Sequence, residues 1–224
     1  MEKIEPELSS IDFKDVPLES PNIHIIIGMH REGKTVLMFS IADRLHQETG
    51  KPVYVGLEVN DLPVEKYGVP DYYHSWREFL PPVDSIFLTD DAHRRMHARR
   101  SMSTPNVQLD TYHGTMAHDD VDYLYDTQLL GSLDRNNFTR AWYRWYKTPY
   151  ESESEVSGRS FFRAECGEAR AALKGEPIST AYLRGEVYNG VVKNVPLPPY
   201  YNDGLSKMHR RRPEPWTRKL RRII

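Results

Sequence analysis

A three-layer α/β fold, with helices on both faces of a mostly parallel central sheet, follows from three observations in this sequence. Short apolar runs at Asn22 to Ile27, Pro52 to Val59, Ser85 to Thr89 and Val121 to Thr127 alternate with helix-like or polar stretches, as buried parallel strands do. The first run leads directly into Gly28 to Thr35, GMHREGKT, which fits the phosphate-loop pattern G-x-x-x-x-G-K-[ST]. The chain has 224 residues, 39% of them hydrophobic, enough for one sizeable core with appendages but not for two full domains.

Taken in order, residues 1–20 are acidic, turn-rich and only intermittently apolar, and read as a strap or lead-in. Asn22 to Ile27 is the first strand. Lys34 to Thr49 then sets Val36, Leu37, Phe39, Ile41, Ala42 and Leu45 at mainly helical spacing, and Gly50 and Pro52 end it. With Pro52 to Val59 as the next strand, this is a right-handed βαβ unit whose first turn binds phosphate. Asp61 to Pro70 reads as a loop and Ser75 to Leu80 as a short helix. Pro81-Pro82 is a hard break before the strand Ser85 to Thr89, which ends in Asp90-Asp91.

An arginine-bearing stretch, Ala92 to Arg100, and the loop Ser101 to Pro105 precede a helix from about Asn106 to Met116. Val121 to Thr127 is the fourth strand and ends at Gln128. Asp134 to Tyr146 is rich in aromatic and basic residues and fits either a helix or a strand. Beyond Pro149 the texture changes: Glu151 to Glu155 is a polar charge run, and Phe161 to Leu173 has helix-forming composition. Glu186 to Val192 holds Asn-Gly between apolar residues, a two-residue hairpin signal. Val195 to Tyr201 is extended and stiffened by proline.

The composition excludes several classes. A single cysteine, Cys166, forms no internal disulfide, and with no activating motif beside it reads as a packed small hydrophobe. The N-terminal residues lack the layout of a signal peptide, and no run approaches the ~20 apolar residues of a membrane helix. The expectation is a soluble, cytoplasmic protein. Net charge is −2, yet Lys207 to Arg222 carries eight Lys and Arg against one Glu, which leaves −9 on the remainder. An acidic body therefore bears a basic tail. His93 and His97, with His113 and His118 nearby, lack both the Glu of H-E-x-x-H and a cysteine pair, so they do not read as a zinc site.

The loop's residue types match its chemistry. Glycines let backbone N–H groups turn inward toward phosphate oxygens, and the following helix adds its positive end. Gly28, Met29, His30, Arg31, Glu32 and Gly33 would wrap the phosphates of ATP, and Lys34 would neutralise the β and γ phosphates. Thr35 would offer its hydroxyl to Mg2+. Hydrolysis also needs a carboxylate at a neighbouring strand end and a group that activates or orients water. Asp90 is the magnesium-side acid, Asp91 the candidate base, and Gln128 a sensor able both to donate and to accept a hydrogen bond.

GMHREGKT, IFLTDD and YLYDTQ, in this order, resemble the motifs of FtsK/HerA-type P-loop motor ATPases, which include viral genome-packaging ATPases; assembly ATPases related to zonula occludens toxin are similar. The resemblance spans roughly residues 22–147. It implies a RecA-like (ASCE) P-loop NTPase fold for an ATPase core at 21–150; the residues beyond it read as an extension with a hairpin at 151–205 and the basic tail at 206–224. It also implies ATP hydrolysis coupled to movement of double-stranded DNA in a homo-oligomeric ring, commonly a hexamer, with a capsid or membrane-bound assembly component as a further partner.

In such rings an arginine of one subunit reaches the neighbour's nucleotide. Arg99, Arg100, Arg135 and Arg140 are candidates, with Arg135 favoured. Many relatives carry Glu where this chain has the shorter Asp91. A nucleotide-binding assembly or regulatory factor and a small-molecule P-loop kinase are the alternative readings. The basic tail and the stretch Arg140 to Lys147 fit DNA contacts; equally, the tail fits docking on an acidic body and the stretch fits a half-buried amphipathic element.

Overall fold

The computed structural model describes residues 9–29, 31–57, 61–78, 80–90, 111–128, 139–148, 160–202 and 204–205. Its strands are β1 (Ser10–Asp12), β2 (Ile23–Ile27), β3 (Val53–Gly56), β4 (Tyr73–Trp76), β5 (Ser85–Thr89), β6 (Val121–Thr127), β7 (Tyr143–Tyr146), β8 (Ala181–Gly185) and β9 (Asn189–Lys193). The two longer helices are α1 (Lys34–Thr49) and α2 (Ser160–Ala172). All nine strands form one sheet in the order β1-β9-β8-β7-β2-β6-β5-β3-β4. Only the pairings of β8 with β7 and with β9 are antiparallel.

Each face of the sheet carries its own core, which is why the central strands are apolar at nearly every position. On one face Ile26, Leu124, Leu88 and Trp145 pack with Leu37, Phe39, Ile41 and Leu45 of α1 and with Phe13 and Val16 of the N-terminal segment. On the other, Ile25, Ile27, Tyr123 and Tyr125 pack with Cys166, Ala169 and Leu173 of the α2 region and with Tyr112 and Met116. Each fully buried Leu, Ile or Phe contributes roughly 1.5–3 kcal/mol. Cys166 is buried in the second cluster, as its lack of an activating motif implied.

Helix α1 starts after Gly33 and ends at Gly50, both left-handed, and Gly50 N donates to His46 O at 2.8 Å. At the end of the sheet away from the phosphate loop, Lys51 Nζ donates to Asp120 Oδ1 (2.8 Å), Asp122 Oδ2 (3.1 Å) and Ser20 Oγ (2.8 Å). Burial holds the Asp122 carboxyl above its ordinary range, against the lowering pull of Ser20, Lys51 and the Asn22 N–H. Asp43 Oδ1 accepts from Tyr72 (3.0 Å), Tyr73 (2.7 Å) and Tyr200 (2.6 Å), tying the proline-rich segment to α1.

Several expectations are corrected. Ser75 to Leu80 is not a helix: Tyr73–Trp76 is an edge strand beside β3, where Ser75 Oγ donates to Glu65 Oε2 at 2.5 Å and accepts from Val64 N at 2.7 Å. Ladder pairing and these bonds outweigh the local helical pattern. Asp61 to Pro70 contains a 3-10 turn at Val64–Tyr67. The hairpin exists, but Asn189-Gly190 is not its turn. Residues 186–188 make the turn, Gly185 N donates to Tyr188 O at 3.0 Å, and Asn189 and Gly190 begin β9. A side chain on Gly190 would collide with the Ser9 carbonyl beside β1, so this glycine serves a close strand approach.

Of the stretch Asp134 to Tyr146, residues 134–138 lie outside the described residues, Thr139 is helical and Tyr143–Tyr146 is a strand. Tyr143, Trp145 and Tyr146 are buried, and Arg144 forms a two-nitrogen ion pair with Glu165 (3.0 Å each). This is the half-buried amphipathic reading; only Arg140 and Trp142 of the basic-aromatic positions face solvent. The lead-in also has a structural part, since β1 pairs in parallel with β9 and Phe13 and Val16 are buried. No described helix is long and apolar enough to cross a membrane.

Candidate nucleotide site

The phosphate-loop sequence leaves the sheet from its centre. Strand β2 lies between β6 and β7, and α1 leads away on the side of β3 while β7 continues on the other. Such a divergence opens a crevice at the carboxyl ends of the strands. The loop is fastened to both neighbours: Gly28 N donates to Thr127 O (3.3 Å), Met29 N to Thr148 O (2.8 Å), and Lys147 N to Ile27 O (2.7 Å). Gly28 is required by packing, because a Cβ there would lie 2.7 Å from Lys147 Cβ and 3.3 Å from Lys147 Cα.

Within the loop Arg31 (φ 68°) and Gly33 (φ 80°) both have positive φ. A left-handed arginine is an uncommon conformation, of the kind held in place at ligand-binding turns. Gly33 is the N-cap of α1 and has no side chain to satisfy the first-turn N–H groups. A sixteen-residue helix therefore presents open donors and its positive end at the loop. Lys34 is only 6% exposed, and its ammonium reaches back over the loop to donate to Met29 O at 3.0 Å. Thr35 is half-buried on the same turn. These features fit a bound triphosphate with its metal ion. His30 lies outside the described residues.

The other expected residues divide into two groups. Asp90 follows β5 and Gln128 follows β6, both half-buried. The pairing Ile27↔Thr127 puts Gln128 level with Gly28 on the adjacent strand. Thr89↔Tyr125 puts Asp90 level with Asp126, at the same carboxyl edge. Asp90 is not on the strand next to the loop, as expected; β6 intervenes, so Asp90 stands two strand spacings, ~10 Å, from β2. Asp91, Arg135, Arg99, Arg100, His93, His97 and the tail from Ser206 lie outside the described residues. Arg140 is exposed ahead of β7, at the end of the sheet away from the loop. His113 packs edge-on against Tyr123, with ring centroids 5.0 Å apart.

Sequence reasoning missed the residues that back the loop, Lys147 and Thr148. Lys147 is buried; its ammonium donates to the carbonyls of Ile178 and, at 2.6 Å, Thr180. Burial pulls its pKa down to about 8, while Glu32 pulls it up. Thr148 Oγ1 donates to Glu32 Oε2 at 3.2 Å. Their only signal in the sequence is a lysine and a threonine closing an aromatic strand, which reads equally well as surface.

The sequence matches no family model and no curated protein. Its fold does match solved structures. The genome packaging NTPase B204 of Sulfolobus turreted icosahedral virus 2, solved with AMP, aligns at TM-score 0.55 and 10% identity over 78% of this chain and 96% of that one. B204 of Sulfolobus turreted icosahedral virus, described as a DNA-packaging ATPase, aligns at TM-score 0.55 and 14% identity over 78% and 97%. The pCW3 conjugation coupling protein TcpA, solved with ATPγS, aligns at TM-score 0.50 and 11% identity over 78% of this chain and 60% of its own. The likeness to these NTPase and ATPase structures is one of fold: an α/β chain with a mostly parallel sheet and the loop at its centre.

Proposed function

We propose that this chain binds ATP with Mg2+ at Gly28 to Thr35, hydrolyses it, and uses the cycle to move double-stranded DNA as part of an oligomeric ring, as in viral genome packaging. The observation that carries the reading is the glycine-bounded loop at the carboxyl end of β2, with Gln128 and Asp90 ending β6 and β5 at the same edge. The loop backbone and α1 would bind the phosphates, and Lys34 would balance their charge. Thr35 and Asp90 are the residues to hold Mg2+, which when bound neutralises charge building on the phosphate oxygens.

In the hydrolytic step, water attacks the γ-phosphorus as the bond to the β-bridging oxygen breaks, giving ADP, inorganic phosphate and a proton. Asp91 is the group proposed to take that proton, and Gln128 to orient the water. Arg135 of a neighbouring subunit is proposed to stabilise the transferring phosphoryl group.

Two features support DNA as the track. One is the fold shared with B204, described as a DNA-packaging ATPase. The other is the tail, where eight Lys and Arg flank Trp216 against a single Glu, a combination suited to phosphate neutralisation and stacking. The test is phosphate release with and without double-stranded DNA, beside a mass measurement in the presence of nucleotide. Stimulation by DNA and a ring-sized mass support the reading. Basal hydrolysis unmoved by DNA in a monomer would remove translocation and leave only the nucleotide site.

A further inference from the structure

Lys147 runs beneath the phosphate loop and is central to how the loop is held. A Cβ built at Gly28 meets Lys147 Cβ at 2.7 Å, and one built at Gly33 meets Lys147 Cε at 3.6 Å. The ammonium donates to the carbonyls of Ile178 and Thr180. Ile178, although 63% exposed, lies against Gly33, its Cγ1 3.5 Å from the same built Cβ. One buried cation thus joins β7, the phosphate loop and the turn before β8, beside a cavity of about 70 Å³ that Glu32, Thr148 and Glu176 help to line.

We propose that Lys147 is a positioning residue of the nucleotide site, fastening residues 176–180 to the phosphate loop and setting a positive charge behind Gly33 that strengthens phosphate binding. The proposal rests on the nucleotide-binding reading above. Joining two carbonyls requires only neutral donors, whereas burying an ammonium is costly unless an anion pairs closely with it. Among the described residues no carboxylate lies within ion-pair distance of Lys147. The charged groups facing it are Glu32 from the loop and Glu176 from the turn after α2; the α2 end otherwise offers Leu173, and β8 is preceded by Thr180. A phosphate in the loop is the anion that completes this arrangement.

The charge and the tie separate experimentally. Burial brings the ammonium to about 8, and a neutral amine keeps two N–H donors for the same two carbonyls. Phosphate binding favours the charged form. Affinity should therefore be level below that pKa and fall as pH rises through it.

The experiment measures binding of a fluorescent mant-ATP with Mg2+ to the full chain from pH 7 to 9.5, for wild type, Lys147→Met and Lys147→Arg, with circular dichroism to check folding. Wild type should weaken about tenfold across pH 8, as one partly screened unit charge at ~10 Å would give. Lys147→Arg should show no step, and Lys147→Met should bind at the weak level throughout. A folded Lys147→Met with the wild-type step, or a flat wild-type profile, overturns the proposal. If Lys147→Met does not fold, wild type and Lys147→Arg decide: a step in wild type alone supports it, and the same step in both overturns it. Wild type that binds no mant-ATP at any pH refutes the nucleotide reading itself, and this proposal with it.

Discussion

Replacing Gly28 by alanine adds one methyl group where the loop leaves β2. In the present geometry that carbon stands 2.7 Å from Lys147 Cβ and 3.3 Å from Lys147 Cα. Ordinary carbon contacts begin near 3.4 Å, so loop and strand end must part by about 0.7 Å. The displacement falls on the Met29 N to Thr148 O bond (2.8 Å) and the Lys147 N to Ile27 O bond (2.7 Å), which seat the loop. Overpacking of this kind costs about 1–3 kcal/mol, a fall in Tm of roughly 2–12 °C for a domain this large. Misplacing reacting groups by ~1 Å costs on the order of a hundredfold in rate. Urea titration and steady-state phosphate release on the same preparation provide the assay. Gly28→Ala with wild-type stability and wild-type turnover would refute both the close approach and the need for glycine there.

Other perturbations probe the scaffold. Lys51→Met strands the fully buried Asp122 and should lower unfolding free energy by about 3–5 kcal/mol in urea; a loss below about 1 kcal/mol would mean the pair is not buried as described. His24 is buried in β2, stacked on Tyr143 at 4.5 Å, and its Nδ1 accepts from Trp145 Nε1 at 3.3 Å. Burial lowers its pKa from 6.5 to about 3. Because the folded value is depressed, the associated stability is full above pH 6.5 and drains as pH falls toward 3. At about 1.36 kcal/mol per pH unit the whole excursion is on the order of 5 kcal/mol. His24→Gln, which keeps an acceptor for Trp145 but does not titrate, should flatten that part of the stability curve; an unchanged slope would assign it to other groups.

What could be read in advance followed local rules. The strand, loop and helix from Ile23 to Thr49 are governed by periodicity and by glycines at Gly33 and Gly50, and all lie where those signals put them. The strand Val121–Thr127 and the edge position of Gln128 were legible for the same reason. Long-range effects were not. Tyr73–Trp76 became a strand through pairing with β3, and Gly190 serves a contact with Ser9, far away in sequence. Strand order was also hidden, so the insertion of β6 between β2 and β5, and hence the ~10 Å offset of Asp90, required the structure. Lys147 escaped because its partners are carbonyls of a distant turn, and carbonyls leave no mark on sequence.

The central claim is that Gly28 to Thr35 binds and turns over ATP. Steady-state phosphate release from Mg2+-ATP by wild type and by Lys34→Ala, both shown to be folded, tests it most directly. The account predicts measurable turnover in wild type and its loss in the variant, because the ammonium now 3.0 Å from Met29 O is the loop's charge for phosphate. Full turnover in Lys34→Ala would contradict it.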